Sequence, residues 1–369
     1  KTYDKIYTID LHGNSKKKES APDGGKDENV FDIQQGVSIN IFIKTGKKKP
    51  SDLGKVFHFD LYGKRDIKYD FLNENNINSI DFKKLPNVAP NYFMVHKDFE
   101  AQKKYDEGFS VNELFIINGV GLTTAHDEFV IKENKIELLD FYKKFQSSPR
   151  DAEFLHKEFK VRKKTGWNIL QGYDNLKNEI DLKKYIEPIS YRPFDNRFVF
   201  YEDKLVWRTV RKVMQHFIKE GNVGLTAIRT NKENEEVGYT SVFVTKNIAE
   251  ARLADRFITN LFPLYLYPET NAQQTLNHET EETADTPQGR TPNLNQEIVQ
   301  KIADNLGLEF VSDHELLKEV DHDRYFTPLD ILDYIYAVLH SPTYREKYKE
   351  FLKIDFPRVP YPKAPSPSE

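Results

Sequence analysis

From Val37 to Ile43 an apolar side chain recurs at every second position, so Val37, Ile39, Ile41 and Ile43 share one face and Ser38 and Asn40 the other. A period of two is the period of a β-strand, and no helix can sort these residues that way. Lys5-Ile-Tyr-Thr-Ile-Asp-Leu11 has the same extended character, and Leu53–Tyr62 supplies a third strand pattern after the basic turn Lys47-Lys-Lys-Pro50. A Gly- and Lys-rich stretch, His12–Lys26, separates the first two. This part of the chain reads as the edge of an α/β sheet.

Further along the pattern changes. Residues 71–150 carry mixed signals broken by Pro86 and Pro90, with Phe129-Val-Ile131 as a short strand. Residues 151–164 read as an amphipathic helix capped by Asp151, with basic residues at its C-terminal end where the helix dipole favours them. Residues 189–268 are strand-rich and aromatic, whereas 270–292 have no apolar period and read as a long polar loop or linker. Helices are expected at 295–306, at 328–339, and after Ser341-Pro342, where Ser341 caps and Pro342 takes the first turn. The tail Pro360–Glu369 has little to pack. The expected fold class is therefore mixed α/β.

The chain has 369 residues, enough for roughly two to three domains. Phe and Tyr are too frequent for a disordered polypeptide. Cysteine is absent, which excludes disulfides, thiolate metal sites and cysteine nucleophiles and suits a reducing cytoplasm. No apolar run approaches the ~18 residues needed to span a bilayer, so no membrane role is expected. The chain opens Lys-Thr-Tyr-Asp-Lys, without Met and inside a strand pattern, which reads as a piece of a longer polypeptide.

The net charge of −4 hides a segregation. Residues 157–232 hold seventeen Lys or Arg against nine Asp or Glu, while residues 269–369 hold ten against nineteen. The middle is basic and the end acidic. The phosphate-loop, nucleophile-elbow and histidine-pair motifs that would announce nucleotide, acyl-transfer or metal chemistry are missing, and the lone Gly119-Val-Gly121 reads as a tight turn. No catalytic residue and no metal ligand is expected here.

The strongest local signal is Tyr191-Arg-Pro-Phe-Asp-Asn-Arg197, followed by Phe198-Val-Phe-Tyr201 and Trp207-Arg-Thr-Val-Arg-Lys212. Arginines alternate with aromatics. A guanidinium can fork onto guanine or phosphate, and an aromatic plane can stack on a base. Arg229-Thr-Asn-Lys232 adds a guanine reader, an adenine-type amide and a phosphate-type cation. At any single arginine an internal pairing, such as Asp195 with Arg192 or Arg197, stands level with a DNA contact. The cluster as a whole favours a phosphate-facing surface.

These segments, together with Met214-Gln-His216, Phe262-Pro-Leu-Tyr-Leu-Tyr-Pro268 and Leu329–Tyr344, form an ordered series that resembles the C-terminal target-recognition region of Type ISP-like single-chain restriction–modification enzymes. The resemblance runs from about residue 1 to about 363. Tyr3–Lys18 with Val30–Ser38 is similar to the last strands of a γ-class N6-adenine methyltransferase domain. It implies residues 1–75 as the end of a Rossmann-like methyltransferase sheet and 76–268 as an α+β target-recognition core. Residues 269–294 would then be a polar linker or loop, and 295–369 the helical part of the recognition domain.

The resemblance also implies that the S-adenosylmethionine loop and the Asn-Pro-Pro-Tyr motif lie upstream, since neither occurs in this sequence. ATP and Mg would serve upstream regions only. Phe31 matches the aromatic that stacks on a flipped adenine, although its spacing to Val37 is one residue longer than in some members; a core residue at a strand start is the equal alternative. Arg192 becomes scaffold, and Arg197, Arg208, Arg211 and Lys212 become backbone contacts. Specificity moves to loops such as 226–240, with Arg229, Asn231 and Lys232 as candidates.

The resulting expectation is sequence-specific recognition of double-stranded DNA that positions an adenine for methylation. The partners would be upstream methyltransferase, helicase and nuclease regions of one polypeptide. Two rivals stand beside it. One is a protein-interaction module using the stripe Ile331, Leu332, Ile335, Tyr336 and Leu339; the other is a single-stranded nucleic-acid binder.

Overall fold

In the computed structural model, all residues are described except 1, 18, 90–91, 219–220, 232–238, 255–256, 269–288, 317–322 and 365–369. The fold is mixed α/β and divides into two compact units, with the break after Glu100. Residues 76–100, expected in the recognition core, group with the first unit. Among the described residues no helix is long and apolar enough to cross a membrane.

The first unit is a four-stranded sheet of β1 (Lys5–Asp10), β2 (Ser38–Ile43), β3 (Lys55–Asp60) and β4 (Lys83–Leu85), in the order β2-β1-β3-β4. The three strands expected from alternation are all present. β1 runs parallel to β3 and antiparallel to β2, so the sheet is mixed. β2 lies at the edge, and its apolar residues Ile39, Ile41 and Phe42 are exposed rather than buried. Ile9, Leu11, Val30 and Leu61 form a small core, with Phe71 of α1 (Arg65–Glu74) packed against it.

Lys68 of α1 is wholly buried, and its ammonium lies 2.7 Å from the Asp27 carboxylate, also buried. That ammonium also donates to the carbonyls of Leu11 and Glu28, both at 2.7 Å. Asp27 in turn accepts the backbone N–H of Gly13 at 2.6 Å and of Gly63 at 2.8 Å. Gly13 sits at φ +76, and a side chain there would strike the Asn29 backbone at 2.5 Å. One buried ion pair thus ties three loops together, which is how a Lys becomes tolerable in a core.

A short helix, α2 (Phe99–Asp106), spans the division. The strands of the second unit are β5 (Phe109–Ser110), β6 (Gly119–Val120), β7 (Ile131–Lys132), β8 (Ile186–Arg192) and β9 (Asp195–Phe200). They continue as β10 (Gly224–Ile228), β11 (Val242–Thr245), β12 (Ile248–Ala249) and β13 (Thr259–Pro263). Five two-residue strands complete the set: β14 (Tyr265–Leu266), β15 (Thr291–Pro292), β16 (Glu309–Phe310), β17 (Tyr325–Phe326) and β18 (Arg358–Val359). One sheet is ordered β11-β10-β13-β6 and another β12-β8-β9-β7, while β14–β15, β16–β17 and β18–β5 form pairs.

The helices of this unit are α3 (Val111–Leu114), α4 (Asp127–Val130), α5 (Lys135–Ser147), α6 (Ala152–Glu158) and α7 (Ile169–Leu176), then α8 (Arg211–Ile218), α9 (Gln296–Leu306), α10 (Pro328–His340) and α11 (Pro342–Lys347). The last three match expectation. Asn295 caps α9 by accepting the N–H of Glu297, and Ser341 caps α11 by accepting that of Tyr344. Ile331, Leu332, Ile335 and Leu339 are buried in a core with Leu225 and Phe262, which leaves only Tyr336 of the supposed docking stripe at the surface. A second core joins Phe129, Phe145, Tyr173 and Val199 around Tyr142 and Phe200, whose rings stack at 3.6 Å.

Several local expectations change. Phe129 and Val130 close a helical turn, and only Ile131 begins a strand. Helix 151–164 stops at Glu158, because Lys160 adopts φ +52 and the Val161 N–H returns to the His156 carbonyl. Gly121 is no turn residue: a Cβ there would meet the backbone of Glu250 and Ala251 at 2.6 Å, so the position is a close crossing of two chains. Residues 269–288 of the expected linker lie outside the described residues. Of the remainder, Arg290, Asn293 and Leu294 are buried. Arg290 is fully buried, pairs with Asp313 at 2.6 Å, and stacks over Tyr265 at 4.3 Å.

Candidate nucleic-acid interface

The segment before α8 is fastened to the segment before α4. Arg208 donates its N–H to the Thr123 carbonyl at 2.9 Å, and Thr123 donates back to Arg208 at 3.0 Å. The side chain of Arg208 is exposed and has no carboxylate partner among the described residues. Its neighbour Trp207 carries the Lys164 ammonium 4.2 Å above its ring. Lys164 lies in a tight connection bridged to Trp167, in which Gly166 takes φ +81.

The cations here feel one another. The His126 pKa is lowered by burial first and then by the charges of Lys164, His156 and Arg162. Arg162 and Lys164 are exposed, and neither has an ion-pair partner among the described residues. Arg162, Lys164 and Arg208, with Trp207 as an aromatic support, therefore form a basic surface whose charge is not spent internally. Lys212, in the first turn of α8, is exposed and likewise unpaired among the described residues. Sequence reasoning missed Arg162 and Lys164 because it ran them into a helix. The available signal was their Gly-Trp sequel, which marks a turn.

The other candidate arginines are engaged. Arg197 grips Asp195 with two nitrogens at 2.8–3.0 Å. Arg211 pairs with Asp203 at 2.9 Å and lies 5.0 Å from the Tyr201 ring. Because Arg211 opens α8, where a cation opposes the helix dipole, its carboxylate partner has a structural task. Arg229 pairs with Asp355 at 2.7 Å, and both side chains are exposed. Asn231 is buried at 6% exposure, with its N–H bonded to the Leu352 carbonyl. Lys232 lies outside the described residues, as do residues 233–238 of the proposed specificity loop. Thr226–Ile228 of that loop belong to the buried strand β10.

The Tyr191–Arg197 motif is a hairpin in which Arg192 of β8 faces Asp195 of β9 across a two-residue connection, Pro193-Phe194. Its base is braced. The Tyr191 hydroxyl donates to Asp127 at 2.7 Å, and Arg192 pairs with buried Glu250 at 2.9 Å. Arg192 and Arg197 both lie over the Tyr191 ring, at 4.0 and 4.4 Å. Arg192 is thus scaffold.

In the first unit, Phe31 is 56% exposed and borders an open depression of about 540 Å³ with Gly13, Asn29 and Arg65. It is therefore not a core residue. Its N–H bonds to the Asn29 side chain, and its carbonyl accepts from Arg65. Nearby, ligand atoms of Asp10, His58 and Asp60 lie within 4.8 Å of one another. Positive charge there comes from His12, which bonds to Asp60 at 2.8 Å and Glu19 at 3.2 Å and stacks on Tyr62.

Comparison with known proteins places this unit in a family. Residues 113–367 match the Type ISP C-terminal specificity domain, and the chain belongs to that family. No curated protein matches it. Among solved structures it is similar to the DrdV–DNA complex, at 20% identity and a TM-score of 0.56 over 98% of this chain and 33% of that one. It is also similar to the ATP-dependent Type ISP restriction–modification enzyme LlaBIII bound to DNA, at 18% identity and a TM-score of 0.56 over 98% of this chain and 22% of that one. A nuclease-deletion mutant of the Type ISP enzyme LlaGI with a DNA substrate mimic gives 17% identity and a TM-score of 0.50 over 97% and 26%. At these identities the likeness is one of fold, and the chain spans at most a third of the proteins it matches.

Proposed function

We propose that this chain recognises a specific sequence in double-stranded DNA as part of a restriction–modification protein and presents a target adenine for S-adenosylmethionine-dependent N6 methylation. The observation that carries the reading is the basic set of Arg162, Lys164 and Arg208, without a carboxylate partner among the described residues, on a unit that belongs to a specificity-domain family. Each such cation can displace a counterion from a phosphate and bind without regard to sequence, which fixes register on the duplex.

Phe31 is the candidate stacking partner for an extruded adenine. Extrusion costs a few kcal/mol, and an exposed ring beside a depression offsets part of that cost. S-adenosylmethionine would supply the methyl group from a site outside this sequence, and ATP and Mg would serve a motor further upstream. The exposed apolar residues of edge strand β2 support the view that more of the sheet lies beyond them.

Competition binding tests the reading. A labelled duplex selected from a randomised pool should resist displacement by random duplex and by single strands, with affinity falling steeply as salt rises. Equal displacement by any single strand, or no binding at low salt, would overturn it.

A further inference from the structure

Phe194 is 98% exposed, the largest exposure of any aromatic ring among the described residues. Its backbone lies at φ +62, in the left-handed region that L side chains rarely occupy. Turns with Pro at the first central position and a positive φ at the second normally place Gly there. This hairpin carries a phenyl ring instead, at the cost of both backbone strain and apolar exposure.

The strain is held by everything below it. Pro193 fixes one φ, Arg192 is anchored on Glu250, Arg197 on Asp195, and both guanidinium groups lie over the Tyr191 ring. A tip so constrained has already lost the freedom that binding would otherwise remove. Strained residues of this kind persist where the surroundings over-determine them, and they mark contacts.

The neighbours decide which contact. Phe243 approaches the ring edge-on at 6.3 Å, and Val244 is exposed, but the remainder of the tip is polar. Asn247 donates to the Asn196 carbonyl at 3.3 Å. The side-chain NH2 of Asn196 and the side-chain carbonyl of Asn247 have no partner among the described residues, and Lys246 is exposed beside them. A single ring standing above open amides and a cation does not make the contiguous apolar patch that a polypeptide partner needs. It has the form of a side chain that enters between stacked bases, with polar groups left for their edges.

We propose that the β8–β9 hairpin is a wedge that seats Phe194 against a base step of bound duplex DNA. The inference rests on the duplex-binding reading above. It is tested on a duplex enriched from a randomised pool, with 2-aminopurine substituted at successive positions. The wild-type chain should raise 2-aminopurine fluorescence at one step, where the base is unstacked. Phe194→Ala should abolish that rise and weaken binding by about tenfold. Phe194→Gly should do the same while melting no lower than wild type, since Gly accepts this φ without strain. Binding by wild type with no unstacked position would overturn the wedge alone. Unchanged fluorescence and affinity in both variants would also overturn it. Failure of wild type to bind any duplex would overturn the wedge and the duplex reading together.

Discussion

The Lys164 ammonium rests 4.2 Å above the ring of Trp207, the residue that precedes Arg208 in the chain. A cation held on an aromatic face keeps its charge, and among the described residues no carboxylate neutralises Lys164. Lys164, Arg162 and Arg208 therefore repel one another in the free protein, and the His126 pKa, lowered first by burial, is lowered further by the charges of Lys164 and Arg162. An approaching phosphate backbone would relieve it.

Lys164→Ala, Arg162→Ala and Arg208→Ala should each weaken binding to all duplex sequences alike. Each should also flatten the plot of log affinity against log salt by about 0.9 per lost phosphate contact. Salt titrations of the three variants on specific and random duplex check this. A change confined to sequence preference would assign the residue to bases instead.

Much of the architecture was legible from pattern alone. The strand at Val37–Ile43, the caps Asp151 and Ser341 and the Pro328 start all act through neighbours in sequence, and all reappear in the structure. What escaped depends on distant partners. Arg290 sits in a polar run and reads as exposed, yet Asp313 meets it 23 residues later and Tyr265 covers it. The partner of Arg192 escaped for the same reason, since Glu250 is 58 residues away, whereas the pairing of Arg197 with Asp195, two residues apart, was among the readings open to the sequence. Separating spent from available charge needs the fold, and that distinction moved the interface toward Arg162 and Lys164.

The pair Lys68–Asp27 should prove indispensable as a pair. Lys68→Met leaves a buried, uncompensated carboxylate and should destabilise the chain by about 3–5 kcal/mol. Adding Asp27→Leu should recover part of the loss, since no unpaired charge then remains. Denaturant unfolding of the single and double variants measures both effects, and a double variant worse than the single would contradict the account.

Gly121→Ala should lower the melting temperature although alanine is small. Its methyl group would lie 2.6 Å from backbone atoms of Glu250 and Ala251, which cannot swing aside as a side chain tip can. Overpacking of this kind costs about 1–3 kcal/mol. Gly46→Ala is the contrasting control. Nothing lies within 4 Å of that position, so any cost there comes from its φ of +74 alone.

The last prediction concerns pH. Burial pushes the His12 pKa down, but hydrogen bonds to Asp60 and Glu19 and the charge of Asp10 outweigh it and raise the value to about 9. The ordinary value is 6.5, so the folded protein holds this proton more tightly than the unfolded chain does. The imidazolium therefore stabilises the fold fully below about 6.5, and its contribution fades as pH rises through about 9. The depressed pKa of Asp60, set first by its bond to His12, belongs to the same contact. Unfolding free energies measured across this window should fall for wild type, and His12→Gln should lack that component of the fall. Proton NMR of the His12 ring should place its midpoint near 9. Parallel pH profiles for wild type and His12→Gln would show that the contact carries no such linkage.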